Sequence, residues 1–498
     1  MSGEQARPDG AQGMKFATIR ALFWKLFEQG GTAAVVLIVQ VVMARMLSPQ
    51  EFGMLAIMLV FVNVGNVIVQ SGLNTAIIQA PDTSEEDYST VFWMAFAISL
   101  CLYGAIFLAA PAVAGFYAMP GIVWPLRALT LVLVVNSYNS IQEAIVARSL
   151  EFNKTARATI IAGFVSGTCG VASAAAGWGI WALVVQQLLQ QLCKCVALAA
   201  QIPWKPRPVF NRARAARLFR FGWKLLVSGV LDQGYQSLSD LIIGKVFTSG
   251  ELGFVSQGKK YPYYLGAMLD GIIQPVMLST VSHVQSEVAR VKRLVRRALK
   301  TSSFIIAPAM TAFAVAAVPI VDIILGEKWL PAVPFLQMYC FVYALLPIHT
   351  TNLQALNGMG RSDLFLKLEL IKKVVGLAVI CFAAFVVQDL YAIVAGSMLV
   401  GVISTFINAH PNKRVIGYSY LEQLRDICPA FLLSVVAGVA SYGAGAALAQ
   451  APELARLAAQ LAVMVVAYLG LAALLRVEEL SYLVATMREL LGRRRASA

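Results

Sequence analysis

Arg45-Met46-Leu47-Ser48-Pro49-Gln50-Glu51-Phe52-Gly53 returns two hundred residues later as Lys245-Val246-Phe247-Thr248-Ser249-Gly250-Glu251-Leu252-Gly253, with a basic residue, the glutamate and the glycine kept in place. This echo is one of four. Trp24-Lys25-Leu26 recurs as Trp223-Lys224-Leu225, and Arg148-Ser149-x-x-Phe152-x-Lys154 as Arg361-Ser362-x-x-Phe365-x-Lys367. Trp181-Ala182-Leu183-Val184 recurs as Tyr391-Ala392-Ile393-Val394. The offsets run from 199 to 213 residues, in one order, between hydrophobic segments. Any single match could be chance. Together they point to a duplicated bundle of membrane helices, a plan typical of secondary transporters.

Composition agrees. Apolar residues make up 59% of the 498 and charged residues 13%, and mean hydropathy is +0.71. A soluble protein of this length needs far more charged surface. The apolar residues fall in blocks of about 20, long enough to cross a hydrocarbon core of roughly 30 Å. The expected fold is an all-α polytopic membrane protein of about 14 transmembrane helices. Spans are predicted at about 20–46, 52–78, 88–110, 121–146, 156–176, 179–201, 219–245, 251–279, 300–324, 332–357, 364–387, 389–409, 427–449 and 454–475. Met1–Gly13 is polar and Gly-rich, and no short apolar core with a cleavage site follows it, so the first block is expected to stay as a span.

The net charge of +14 does not mark a nucleic-acid binder, because the cations cluster in particular loops. Lys205 to Arg220, Arg290 to Lys300 and the tail with Arg493-Arg494-Arg495 are basic, whereas Gly115–Gly121 and Gly177–Gly179 carry no charge. The positive-inside rule then puts both termini in the cytoplasm. Asp82, Glu85, Glu86 and Asp87 form an acidic inside loop, which weighs little in that rule. Six helices per repeat is an even number, so the lobes are expected to be parallel. The expected organisation is an N-lobe over 1–202, a basic linker over 203–218 and a C-lobe over 219–409. Two extra helices over 427–475 and a basic tail over 476–498 follow. Val284, Val288, Val291 and Val295 form an apolar stripe beside a basic face, as do Leu480, Leu483, Met487 and Leu491 in the tail. Each suggests a helix lying on anionic lipid or a docking site for a partner.

Enzyme motifs are missing. There is no GxxxxGK[ST] phosphate loop and no HExxH, and the three histidines lie far apart in sequence. No cofactor and no metal are expected. The seven cysteines sit in or beside apolar blocks and read as packing residues.

Charges inside spans cost about 2.5–3.5 kcal/mol each on insertion scales and usually face a cavity or a partner. Lys25 and Glu28 stand three apart in the first span. Asn63, Asn66, Gln70 and Asn74 make one stripe on the second, and Asn136, Asn139 and Glu143 one on the fourth. Asp232, Gln236 and Asp240 share a face of the seventh. Gln257, Lys260 and Tyr264 line one side of the eighth, with Lys259 and Asp270 adjacent to it. These helices are expected to line a polar cavity, the alternative being hydrogen bonds within a dry bundle. Lys260 lies nine residues past Glu251, roughly 13 Å deep at 1.5 Å per residue, too deep for easy snorkelling. A cavity with buried cations suits an anionic substrate such as a phosphate or pyrophosphate.

Trp24-Lys25-Leu26, the Leu47–Gly53 turn, the Arg148–Lys154 segment and Gly177-Trp178-Gly179-Ile180-Trp181-Ala182-Leu183-Val184 resemble the bacterial polysaccharide transporters of the Wzx/WzxC type. Those belong to the multidrug/oligosaccharidyl-lipid/polysaccharide exporter superfamily. The resemblance runs from about residue 15 to about residue 475. It implies two six-helix lobes in a V and, in some members, two extra helices. It further implies alternating-access flipping of undecaprenyl-pyrophosphate-linked oligosaccharide across the inner membrane, for capsule, exopolysaccharide or O-antigen. By that resemblance Lys25, Lys259 and Lys260 match cations near the pyrophosphate; from the residues alone, Tyr264 could stack on a sugar or fill the bundle, and Asn66 and Gln70 are candidates for the substrate. The second span departs from the pattern, being Asn/Gln without a basic residue. Asp232, Asp240 and Glu28 are candidates for coupling to an ion gradient. Expected partners are the lipid-linked oligosaccharide, membrane lipids, a polysaccharide polymerase and chain-length or export proteins, and no nucleic acid. The competing reading is an ion-coupled multidrug or cation antiporter of the same superfamily, which would use the same acids.

Overall fold

The structure, a computed structural model, describes residues 37–79, 83–485 and 488. Lys25 and Glu28 lie outside the described residues, as do Met487 and Leu491 of the tail stripe. The chain forms two compact units, Met1–Gly253 and Phe254–Ala498.

The first unit holds α1 (Leu37–Met46), α2 (Pro49–Gln79), α3 (Glu85–Phe116), α4 (Val123–Leu129), α5 (Leu131–Ser149), α6 (Phe152–Ala175), α7 (Ile180–Gln201), α8 (Arg212–Val246) and the first turn of α9 (Ser249–His283). The second holds the rest of α9, then α10 (Val288–Val315), α11 (Ala317–Ile324), α12 (Val333–Ala344), α13 (Leu346–Gly358) and α14 (Ser362–Phe382). It ends with α15 (Leu390–Val415), α16 (Tyr420–Ala447) and α17 (Glu453–Leu474). Among the described residues 12 helices are long and apolar enough to cross a membrane, as expected of a polytopic membrane protein. Two of the fourteen expected spans are not in that set. Only the end of the first is described, as α1, and α8 carries Asp232, Gln233, Gln236 and Asp240 through its middle. Helix α8 also starts at Arg212, so the end of the expected linker is already helical.

The duplicated stretch builds the same local structure twice. Glu51 Oε2 accepts from the Ser48 backbone at 2.7 Å while the Glu51 backbone donates to Ser48 Oγ at 3.4 Å. Thr248 and Glu251 repeat the exchange at 2.9 and 3.3 Å. Each reciprocal pair satisfies helix-start N–H groups that have no partner within the helix. The glycines two residues further on, Gly53 and Gly253, face each other's helix starts. A Cβ on Gly53 would lie 1.7 Å from the Ser249 carbonyl oxygen, and one on Gly253 2.0 Å from that of Pro49.

The Arg148 and Arg361 echoes are out of structural register. Both lie at turns, between α5 and α6 and between α13 and α14. The equivalent hydrogen bonds, however, run from Glu151 N to Val146 O and from Arg361 N to Leu356 O. Leu150 (φ 57°) and Gly360 (φ 74°) make the left-handed step in each. Glu151 and Arg361 are thus the matching positions, three residues away from the motif alignment. Helix packing fixes where each turn falls, and an arginine one turn earlier or later is tolerated in either.

The acidic loop finds its partners in the basic linker. Arg207 pairs with Glu85, and Arg214 with Asp87 at 3.0 Å and Glu86 at 3.6 Å. Trp93 Nε1 donates to the Arg207 carbonyl at 2.8 Å. Trp204 stacks on Tyr138 with ring centres 5.7 Å apart and meets Phe92 edge-on. The linker is therefore strapped across the start of α3. This puts the acidic loop and the linker arginines at the same end of the helices, as the four spans between them require.

Parts of the two amphipathic stripes are turned inward, although Val288 stays exposed. Val291 and Val295 are fully buried with Met277, Val281, Leu299, Ile348 and Tyr418. Leu480 and Leu483 pack on the cluster of Phe304, Leu433, Met464 and Tyr468, which joins α10, α16 and α17. For Val291, Val295, Leu480 and Leu483 the expectation that these faces rest on lipid or a partner is corrected. Helix α10 runs unbroken from its basic start into its apolar span, so its lower turns meet protein.

Candidate functional site

Most of the polar stripe on α2 and α5 is used for helix packing. Asn136 Nδ2 donates to Asn66 Oδ1 at 2.8 Å. Asn139 Nδ2 donates to the Gln191 carbonyl of α7 at 3.1 Å and to Asn136 Oδ1 at 3.3 Å. Glu143 pairs with Lys194. Asn136 and Asn139 are buried, and such amide pairs hold membrane helices together at about 0.6 kcal/mol each, rising to about 1–2 kcal/mol. Gln70 is half-buried on the next turns of the same stripe.

On α8, Asp232 Oδ2 accepts from Gln236 Nε2 at 2.7 Å, and Asp240 is half-buried two turns further on. These acids belong to the first unit. Lys259, Lys260 and Tyr264 belong to the second.

Helix α9 carries the most unusual surface. Gly258 and Gly266 let it approach α12 closely, a Cβ on Gly258 falling 2.9 Å from the Leu336 backbone nitrogen and one on Gly266 3.3 Å from Tyr343 Cβ. Small residues at such spacings are the means by which membrane helices come together. Lys259 and Lys260 follow, both half-buried. On the same turns two buried polar atoms, Gln257 Oε1 and Tyr261 Oη, have no hydrogen-bond partner among the described residues. Tyr264 is 37% exposed and Tyr263 46%. Tyr263 also meets Tyr343 of α12 edge-on, ring centres 5.5 Å apart. Gln257, Lys260, Tyr261 and Tyr264 therefore share one side of α9, with Lys259 and Tyr263 on the adjoining surface of the same turns. An unsatisfied buried polar group costs about 1–3 kcal/mol, which a ligand or water with matching groups removes.

Sequence reasoning missed a second polar core, in the second unit. Asn412 Nδ2 donates to Asn352 Oδ1 at 2.6 Å, Asn352 Nδ2 to Gln423 Oε1 at 3.0 Å, and Asn408 Nδ2 lies 3.1 Å from His349 Nδ1. Thr350 Oγ1 bonds Asp270 of α9. The signal was present: His349 and Asn352 lie 210 residues after Asn139 and Gln142, the offset that also matches the turns. The fourth and tenth spans are both polar seams.

The described residues are all helical, with twelve helices long and apolar enough to cross a membrane and polar seams between them, and so define a polytopic membrane protein. Within that class the assignment is specific: the polysaccharide biosynthesis protein family matches residues 42–334, more than half of the chain, and the chain belongs to that family. It is 24% identical to the lipopolysaccharide biosynthesis protein WzxC of Escherichia coli (strain K12), over 83% of this chain and 84% of that protein. It is 23% identical to the succinoglycan biosynthesis transport protein ExoT of Rhizobium meliloti (strain 1021), over 82% and 81%. Among solved structures, a lipid II flippase, MurJ in an inward closed conformation, has the same fold. The TM-score is 0.71 at 13% identity, covering 92% of this chain and 98% of that one.

Proposed function

We propose that this protein flips a polyprenyl-pyrophosphate-linked oligosaccharide across a bacterial inner membrane, as a transporter and not an enzyme. The observation that carries the reading is the α9 face, where Lys259 and Lys260 share helix turns with the unpartnered Gln257 Oε1 and Tyr261 Oη. Cations suit a pyrophosphate, and a free carbonyl and hydroxyl suit sugar hydroxyls. The names of WzxC and ExoT, which refer to lipopolysaccharide and succinoglycan biosynthesis, support a polysaccharide pathway. Lys25 joins the cationic set by the family resemblance, with Tyr264 and Gln70 on the sugar side. Asn66 contributes through its bond to Asn136. The lobes are taken as 1–202 and 219–409, with 427–475 as two extra helices outside the repeat. A polymerase and chain-length or export proteins of the same pathway are the protein partners proposed.

Deleting the gene is expected to abolish surface polysaccharide and leave lipid-linked oligosaccharide on the cytoplasmic leaflet, with sensitivity to cationic dyes unchanged. Normal polysaccharide with raised dye sensitivity would favour the antiporter reading. Coupling to an ion gradient is assigned to Asp232 and Asp240, with Glu28 as a third candidate. Flipping in vesicles by the Asp232→Asn/Asp240→Asn variant should lose its dependence on the gradient, and full dependence would remove both acids from the coupling.

Both termini are proposed to be cytoplasmic. Reporter fusions after Gly115 and Gly177 should read outside, and fusions at Arg212 and Arg293 inside. A cytoplasmic reading at Gly177 would reverse the orientation of α6 and α7 and end the parallel-lobe arrangement.

A further inference from the structure

Arg293, Arg296, Arg297 and Lys300 of α10 line one wall of an open cleft of about 340 Å³, whose opposite wall is Glu478, Glu479 and Tyr482 beyond α17. The four cations are not equivalent. Arg296 Nη2 is held by Asp426 Oδ1 at 2.7 Å, and Asp426 Oδ2 accepts from the Tyr418 hydroxyl at 2.7 Å. Burial, and then the bond to Asp426, push the Tyr418 hydroxyl above its ordinary pKa, so it stays a donor. Lys300 is shared by Glu479 at 2.8 Å and Glu478 at 3.2 Å. Those pairs neutralise their own charges and fix the walls.

Arg293 and Arg297 are left over. Neither meets a carboxylate among the described residues. The Arg297 guanidinium lies 3.5 Å over the Tyr482 ring centre, which fixes its position while its N–H groups keep no anionic partner. Arg293 stands exposed one turn away. At i and i+4 their side chains start about 6 Å apart on one helix face, a spacing that lets two guanidinium forks converge on one tetrahedral anion. Arginine is the residue best suited to that task, since its planar fork donates in pairs to phosphate oxygens.

Depth selects the kind of phosphate. Helix α10 is basic up to Lys300 and apolar from Phe304-Ile305-Ile306-Ala307 onward, so the cleft sits where a span enters the headgroup layer. We propose that this cleft binds a phosphate ester, held between Arg293 and Arg297, at the membrane surface and apart from the α9 face. A lipid headgroup and a free phosphate ester share this chemistry, and acyl-chain dependence separates them.

The test uses the full-length protein purified in detergent. Bound lipid is counted by native mass spectrometry during titration with dioleoylphosphatidylglycerol or dioleoylphosphatidylcholine, and glycerol 3-phosphate is titrated as a competitor. One phosphatidylglycerol should be retained in preference to phosphatidylcholine, and Arg293→Gln/Arg297→Gln should weaken its retention tenfold or more. The charge-matched variant Arg290→Gln/Lys413→Gln, altered outside the cleft, should bind as wild type. Competition by glycerol 3-phosphate at concentrations near those of the lipid would identify a free ester as the natural ligand. Its failure to compete would identify a lipid, and both results keep the site. Equal retention by the cleft variant and wild type overturns it, as does an equal loss in the charge-matched variant. Should the double variant not accumulate, Arg293→Gln alone, whose side chain has no partner among the described residues, should still weaken binding severalfold, and wild-type binding by it rejects the proposal.

Discussion

Leucine in place of Gly53 is expected to abolish polysaccharide export and to lower the melting temperature of the purified protein, and leucine at Gly253 to do the same. The starts of α2 and α9 meet backbone to backbone. Their Cβ positions would fall 1.7 Å from the Ser249 carbonyl oxygen and 2.0 Å from that of Pro49, where ordinary contact begins at 3.4 Å. A flexible side chain could swing aside from such an intrusion, but a carbonyl fixed in a helix start cannot. Both helix starts are further pinned by their Ser48–Glu51 and Thr248–Glu251 exchanges. Overpacking ordinarily costs about 1–3 kcal/mol, and here the obstacle is backbone, so the upper end is expected. Alanine should already be damaging, because the Cβ alone collides. Leucine at Gly104 or Gly443, where a Cβ meets nothing within 4 Å, is the control and should be close to neutral. Melting and export at wild-type levels in both Gly53→Leu and Gly253→Leu would mean that the working protein does not bring these helix starts together.

Lys260→Gln should cut export more than tenfold while leaving expression and melting near wild type. A charged hydrogen bond contributes about 1.5–3 kcal/mol, which is roughly a tenfold to hundredfold change in an equilibrium constant. Helix α9 is seated against α12 through the close approaches at Gly258 and Gly266. Lys259→Gln is expected to act in the same direction. Asn136→Leu provides the contrast. It breaks the bond to the half-buried Asn66 and the bond from Asn139, so its melting temperature should fall, and export only in proportion to the protein that remains folded. Normal export by both lysine variants would remove the cationic site from α9 and reopen the choice of substrate.

The order of the spans and the duplication could be read in the residues because each depends on local chemistry. A block of about 20 apolar residues must be helical in a bilayer, since each backbone group needs an internal partner. The acidic loop at Glu85–Asp87 was legible only as an exception, because its partners Arg207 and Arg214 lie some 120 residues away. The third echo misled by one helix turn, because arginine and lysine near a turn mark its neighbourhood and not its register.

The candidate site divides in the same way. That Gln257, Lys260 and Tyr264 share one side of α9, with Lys259 beside it, followed from their spacing, and the structure adds that Gln257 Oε1 and Tyr261 Oη lack a hydrogen-bond partner among the described residues. That Asn66, Asn136 and Asn139 bond one another did not follow from spacing, because a polar stripe facing a cavity and one facing a neighbouring helix have the same periodicity. The same holds for the valines of α10, whose amphipathic pattern fits lipid as well as it fits the buried Tyr418 and Leu299. The sequence by itself determined a duplicated, multi-span membrane helix protein and the helices on which charge is concentrated, since hydrophobic length and the spacing of polar residues act within a segment. Only the tertiary structure decided which polar side chains are satisfied by a neighbour, and that Gly53 and Gly253 allow two helix starts to touch. Those outcomes depend on the distance and rotation at which separate helices dock, which no single segment encodes.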